Sequence, residues 1–206
     1  FAFVATHNHF VLDRGGKVFN RTAPVIKLPD SATDDDHLAL LGVLNSSTGC
    51  FWMKQNCFNK GSTIDTQGAR QTQVPWEDFY EFTGTILKNC PLPSVLPLGR
   101  ARLVDSLAHQ FTANNPVSVV SHRLPTADVL ADAHARYDSL PRQMITHQEE
   151  LDWEVYGLYG LPSGDLVYAE DDLPELNLGE RAFEIALARK VAAGEAFVLQ
   201  GGDCAE

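Results

Sequence analysis

Cysteine is scarce in this sequence, four in 206 residues, and no two of them form a Cys-x-x-Cys pair. No histidines gather at zinc spacing either. A disulfide scaffold and a structural zinc site are therefore not expected, and a reducing, cytoplasmic compartment is. No apolar run approaches the roughly 18 residues of a membrane span, and no charged-then-apolar leader opens the chain. Basic residues fall short as well. Sixteen Lys and Arg against 27 Asp and Glu leave a net charge of −11, which argues against an indiscriminate nucleic-acid binder. There is no phosphate-cradling Gly-x-x-x-x-Gly-Lys-Ser/Thr loop, no Gly-x-Gly-x-x-Gly and no Gly-x-Ser-x-Gly elbow. The one Asn-Pro pair, Asn115-Pro116, runs on into Val117-Ser118 and cannot supply the Pro-aromatic part of an amino-methyltransferase site. No self-contained catalytic site is expected.

What the chain does contain is an ordinary globular composition, 44% hydrophobic and 21% charged, with enough length to bury a core. It begins Phe1-Ala2-Phe3-Val4 without a methionine and reads as a piece of a longer protein. The excess acid is all in one half. Residues 1–100 hold nine basic and nine acidic side chains, whereas residues 101–206 hold seven and eighteen. Any surface that meets an anion is therefore expected in the first hundred residues.

An α+β fold is expected, in three stretches at 1–97, 98–161 and 162–206, the second helical and the last an acidic extension. Phe1–Leu12 and Val18–Leu28 read as strands around an Asp13-Arg14-Gly15-Gly16-Lys17 turn. Thr33 before Asp34-Asp35-Asp36 predicts a helix N-cap. One helix should follow through Leu38, Leu41, Leu44, Thr48, Phe51 and Trp52 to Gln55-Asn56, carrying Cys50 with Cys57 on one face as structural thiols. Val74–Thr83 reads as a strand, Gly99–Phe111 as a helix and Asn114–Pro125 as a polar connector. Thr126–Tyr159 is a long helical pattern that Pro141 should kink or split, and Leu178–Ala193 is a last amphipathic helix.

Two groups of residues invite a chemical reading. His7 and His9, two apart on an expected strand, share one face; with an acid they would make a weak metal site, but ordinary strand histidines are the favoured reading. Residues 59–73 are polar and contain two glycines. Lys60, Ser62, Thr63, Thr66, Gln67, Arg70, Gln71 and Gln73 are the side-chain types that read base edges and hold phosphates. A plain solvated loop has the same composition.

The segments Asp13–Lys27 and Leu40-Leu-Gly-Val-Leu-Asn-Ser-Ser47, followed by Phe51-Trp52, resemble the target-recognition region of type IIG and type I restriction-modification proteins. Glu150-Leu-Asp-Trp-Glu-Val-Tyr-Gly-Leu-Tyr-Gly-Leu161 is similar to the end of the spacer helix behind such regions. With Glu175-Leu-Asn-Leu-Gly-Glu-Arg-Ala-Phe-Glu184, the set most resembles PglX-type adenine-specific DNA methyltransferases of BREX and phage-growth-limitation systems. The resemblance implies a parent protein that methylates adenine N6 with S-adenosylmethionine in bacterial phage defence. The cofactor pocket and catalytic motif would lie in a methyltransferase domain outside this chain. No catalytic residue, metal ligand or cofactor contact carries over. Double-stranded DNA is the implied partner, along with the methyltransferase domain and other phage-defence proteins; no membrane is implied. Arg14, Lys17 and Arg21 are then the candidate phosphate anchors, and Lys60, Ser62, Thr63, Gln67, Arg70 and Gln71 the candidate groove-facing loop. A protein-interaction module, and an independent metal-dependent hydrolase using His7 and His9, are the alternatives.

Overall fold

A computed structural model describes residues 1–61, 78–168 and 172–194. Their fold is α+β: seven helices and one small antiparallel sheet among the described residues. The elements run β1 (Val4–Ala5), α1 (Asp34–Leu44), α2 (Ser47–Asn56), β2 (Phe58–Gly61), β3 (Phe79–Glu81), α3 (Gly84–Leu87), α4 (Leu98–Ala113), α5 (Pro116–His122), α6 (Ala127–Leu158) and α7 (Ala182–Ala192). β3 is the central strand, with Val4 and Phe58 both opposite Glu81 and a register shift between Asn59 and Gly61. The chain divides into two units, Phe1–Arg102 with Leu151–Leu166, and Leu103–Glu150 with Val167–Glu206.

In the first unit, α1 starts where its cap residues place it. The Asp36 amide donates to the Thr33 hydroxyl at 3.3 Å while the Thr33 amide donates back to the Asp36 carboxylate at 2.7 Å, a reciprocal cap that satisfies two otherwise orphaned amides. Those bonds hold the Asp36 carboxyl below the usual carboxylate range. The helix does not run on to Asn56 as its apolar spacing predicts. Asn45 ends α1, and Ser46 opens α2 by accepting from the Gly49 amide at 3.0 Å. The three-and-four spacing continues across the break, so periodicity alone could not show it. Cys57 is the extended C-cap of α2, and so does not share a helical face with Cys50; both thiols are half-buried. The core gathers Phe10, Leu44, Met53 and Phe82, with Phe1, Leu40, Trp52 and Tyr80 packed on it.

The two expected N-terminal strands shrink to Val4–Ala5. Phe10 finds its backbone partners in a side chain instead: its amide donates to Asn45 Oδ1 at 3.0 Å, and Asn45 Nδ2 donates to its carbonyl at 2.9 Å. Beyond the turn, Gly15 and Gly16 have the positive φ expected of them (108° and 82°), but no hairpin forms. Asn20 bends the chain by accepting from the Thr22 amide at 3.0 Å, and Pro24 has no amide for a ladder. His7 and His9 are thus not on a strand. The strand expected over Val74–Thr83 is Phe79–Glu81 among the described residues.

Gly42 sets how closely α1 approaches the start of α4. A Cβ there would lie 2.9 Å from Ala101 Cβ and 3.1 Å from Pro97 Cγ. Gly42→Ala should destabilise the chain by about 1–2 kcal/mol, overpacking outweighing the helix-propensity gain. Chemical denaturation checks this, and adding Ala101→Gly should recover part of the loss.

In the second unit, the expected polar connector contains α5. Asn115 caps it by accepting from the Ser118 amide at 2.8 Å, with Pro116 in the first turn, an arrangement that suits proline because its missing amide would have no helical partner there. α6 continues through Pro141, neither split nor ended by it. Leu140 beside it is buried, and Tyr137 stacks on Phe111 at 4.3 Å, so packing outweighs the lost helix bond. α7 starts at Ala182 rather than Leu178, because Asn177–Glu180 forms a turn and Glu184 accepts from the Arg181 amide at 2.8 Å.

Candidate nucleic-acid interface

Arg14, Lys17 and Arg21 stand exposed on the segment around and after the glycine turn. Lys17 reaches Asp13 only at 3.9 Å, and the Arg21 guanidinium lies 5.6 Å from the Phe3 ring centroid. Lys60 is on a different element, β2, where its ammonium donates to Glu81 at 2.6 Å. Ser62, Thr63, Gln67, Arg70 and Gln71 lie outside the described residues, as do Thr66 and Gln73. The segment that holds them connects β2 to β3, which are paired antiparallel neighbours.

Three of the stretches that carry the resemblance turn out to be joints. In Leu40–Ser47, Asn45 clamps Phe10, and Ser46, fully buried, donates to the Val43 carbonyl at 2.7 Å. Asn8 Nδ2 donates to the Leu44 carbonyl at 2.6 Å. Ser47 is the anchor for the second motif: its amide and hydroxyl donate to the two oxygens of Asp152, at 2.7 and 2.5 Å. Asp152 is 2% exposed, so those bonds replace the water that a carboxylate would otherwise hold. Nearby in the same unit, Arg100 lies 3.5 Å from Glu154. Burial pushes the Glu154 carboxyl up, and the Arg100 cation opposes it. Tyr159 donates to the Pro91 carbonyl at 2.6 Å, and burial raises its hydroxyl too. The third motif does the same work inside the second unit. Glu175 accepts from Arg142 at 2.8 Å, Arg181 from the third motif donates to Glu149 at 2.7 Å, and the Thr146 hydroxyl donates to the Pro174 carbonyl at 3.0 Å.

Sequence reasoning missed another group. Lys54, in the last turn of α2, holds its ammonium 5.4 Å from the Tyr80 ring centroid. His7 and His9 are exposed; partial burial, then the Lys54 and His9 charges, push the His7 imidazole below its usual range. The signal was faint, because only the fold brings residue 54 onto residue 80. As for metals, no cluster of three or more His, Cys, Asp or Glu suited to an ion occurs among the described residues. The Asn115 carboxamide of the one Asn-Pro pair is occupied in capping α5.

The fold and surface are those of an α+β module with basic and amide-bearing side chains on one unit. Residues 144–198, from within α6 to beyond α7, match a family described as a domain of unknown function, DUF7008. Across 201 residues, 95% of this chain, the sequence is 52% identical to the adenine-specific methyltransferase PglX of Streptomyces coelicolor (strain ATCC BAA-471 / A3(2) / M145). The chain spans 17% of that protein's length. No solved structure matches. No helix among the described residues is long and apolar enough to cross a membrane.

Proposed function

We propose that this chain is the DNA-reading part of a PglX-like, adenine-specific methyltransferase. The observation that carries the reading is the 52% identity over nearly the whole chain to a protein named for that activity. On this reading the catalytic domain, with its S-adenosylmethionine, lies in the remainder of the parent, and the fragment itself is non-catalytic. Residues 1–97 dock against duplex DNA, 98–161 serve as the spacer, and 162–206 form an acidic extension. The setting is the cytoplasm of a phage-resistant bacterium. An enzyme that modifies adenine inside a duplex must extrude it into a pocket, so sequence choice falls to groups left in the groove. Arg14, Lys17 and Arg21 supply cations for phosphates, while Lys60 in β2 and Ser62, Thr63, Gln67, Arg70 and Gln71 in the segment between β2 and β3 serve the base edges.

In the full-length enzyme, replacing Arg70 and Gln71 together with Ala should weaken discrimination for the cognate site by about 1–3 kcal/mol per lost base contact, or roughly 5- to 150-fold. Sequencing of methylated adenines reads this, with S-adenosylmethionine affinity unchanged. An unaltered methylation site and rate would refute the loop's role.

A second reading, a protein-docking module, is favoured by the second unit. There Val117 and Leu124 are 73% and 80% exposed, with Val120 and Leu103 also open to solvent. It gains if the chain binds a sister defence protein and shows no salt-dependent DNA binding.

A further inference from the structure

One stretch of the first unit has a backbone that nothing else in the unit pairs. From Pro24 to Pro29 the chain runs without turn or bend, and no amide or carbonyl of Val25, Ile26, Lys27 or Leu28 is hydrogen-bonded to another described residue. Turns close the stretch at either end: the Ala23 amide donates to the Asn20 carbonyl at 3.0 Å, and the Ala32 amide to the Pro29 carbonyl at 2.9 Å. Val25 and Ile26 are β-branched, as strands prefer, yet stand 51% and 38% exposed. Along Val25, Ile26 and Lys27 opens a cleft of about 430 Å³, walled on its other sides by Leu40 and Leu44 of α1 and by Leu87 and Leu92. That volume is within the roughly 300–1,000 Å³ of ligand-holding clefts. The charged side chains of its wall are Lys27 and Lys88, both exposed, and no Asp or Glu is among the lining residues.

We propose that Val25–Leu28 is an acceptor edge for a strand of a partner protein, a segment that alternates apolar side chains and carries carboxylates at one end. An unpaired run of amides and carbonyls is a template for another chain. Strand addition draws its affinity from main-chain bonds and its selectivity from pockets that take alternate side chains. Both parts are present here. Val25 with Lys27, or Ile26 with Leu28, can turn its backbone groups to a neighbouring strand, and the cleft lies along the same residues. Pro24 and Pro29 have no amide to donate, so pairing is confined to the four residues between them. Charge complementarity sets the partner's composition: two lysines and no acid in the wall attract carboxylates and repel a basic strand. The edge is separate from the residues assigned to DNA, and its occupation does not depend on their reading a duplex.

The test is peptide binding to the full-length protein, read by fluorescence anisotropy. The probe is a short labelled peptide with Val and Leu at alternate positions, Thr between them and Asp at its last two positions. It should bind saturably. N-methylation of every second amide should abolish binding in one register and spare it in the other, because only alternate amides of an added strand face the edge. Lys27→Glu with Lys88→Glu should weaken binding roughly tenfold, the scale of two reversed surface ion pairs. A peptide with Lys in place of Asp should recover binding on that variant and bind the wild type roughly tenfold more weakly than the acidic probe does. If the double variant does not fold, the wild type's preference between the two peptides decides the charge question. Absence of binding to the wild type overturns the edge, which is then a strand kept unpaired by its prolines and lysine. Equal effects of the two N-methyl registers overturn it too, since the cleft would be taking side chains without a strand. Equal affinity for acidic and basic peptides overturns the partner assigned to it.

Discussion

Replacing Asp152 with Ala should lower the stability of the 206-residue chain by about 3 kcal/mol, the scale of one or two charge-assisted hydrogen bonds lost in a buried site. The carboxylate is 2% exposed and takes both the amide and the hydroxyl of Ser47. Without it the first amide of α2 and a side-chain hydroxyl lose their acceptor, and a cavity opens beside Leu151 and Val155, both buried. At about 2–4 °C per kcal/mol for a chain of this size, the melting temperature should fall by about 10 °C. Asp152→Asn keeps the shape and one good acceptor, and should cost about half as much. A melting temperature within about 1 °C of the wild type for Asp152→Ala would mean that the joint to Ser47 carries no weight.

Gly49→Ala should be equally damaging, by about 3 kcal/mol. A Cβ at residue 49 would sit 2.6 Å from the Val43 carbonyl oxygen and 3.2 Å from that of Leu44. Both are backbone atoms, so no rotamer change relieves the clash; the tight turn between α1 and α2 must open. Ordinarily alanine stabilises a helix by about 1 kcal/mol over glycine. Gly157, on α6, is the control, because a Cβ at that position would meet nothing within 4 Å. Gly157→Ala should therefore raise stability. Opposite signs for the two variants in urea denaturation would establish that close approach at residue 49, and not glycine content, is what matters. A gain in both would show the turn to be looser than these distances imply.

These two substitutions fall in or beside the stretches that carry the likeness to PglX-type methyltransferases, and the reason is visible. Leu40–Ser47 and Glu150–Leu161 meet each other through Ser47 and Asp152, 105 residues apart in sequence. A likeness maintained by such a joint reports a shared architecture. Base choice would instead reside in side chains that face a duplex, and the motifs do not include Arg70 or Gln71. Experiments on specificity should therefore target the β2–β3 connection, and experiments on folding the Ser47–Asp152 joint.

What could be read from the sequence was whatever is encoded within a few residues. Thr33 with Asp36 marked the start of α1, Asn56 the end of α2, and the four-residue spacing of Leu103, Leu107 and Phe111 marked α4. Caps and helical periodicity are local, because a helix satisfies its backbone from its own neighbours. The length of α6 was equally legible, although not its passage through Pro141. The α+β class followed from these elements together. Only the tertiary structure decided that Phe10 would bond to an asparagine side chain rather than to a strand, that Asp152 would be buried on Ser47, and that Lys54 would lie over the Tyr80 ring. A strand's backbone groups and a buried carboxylate need partners from distant parts of the chain. Those partners are chosen by packing, which no short window of residues specifies.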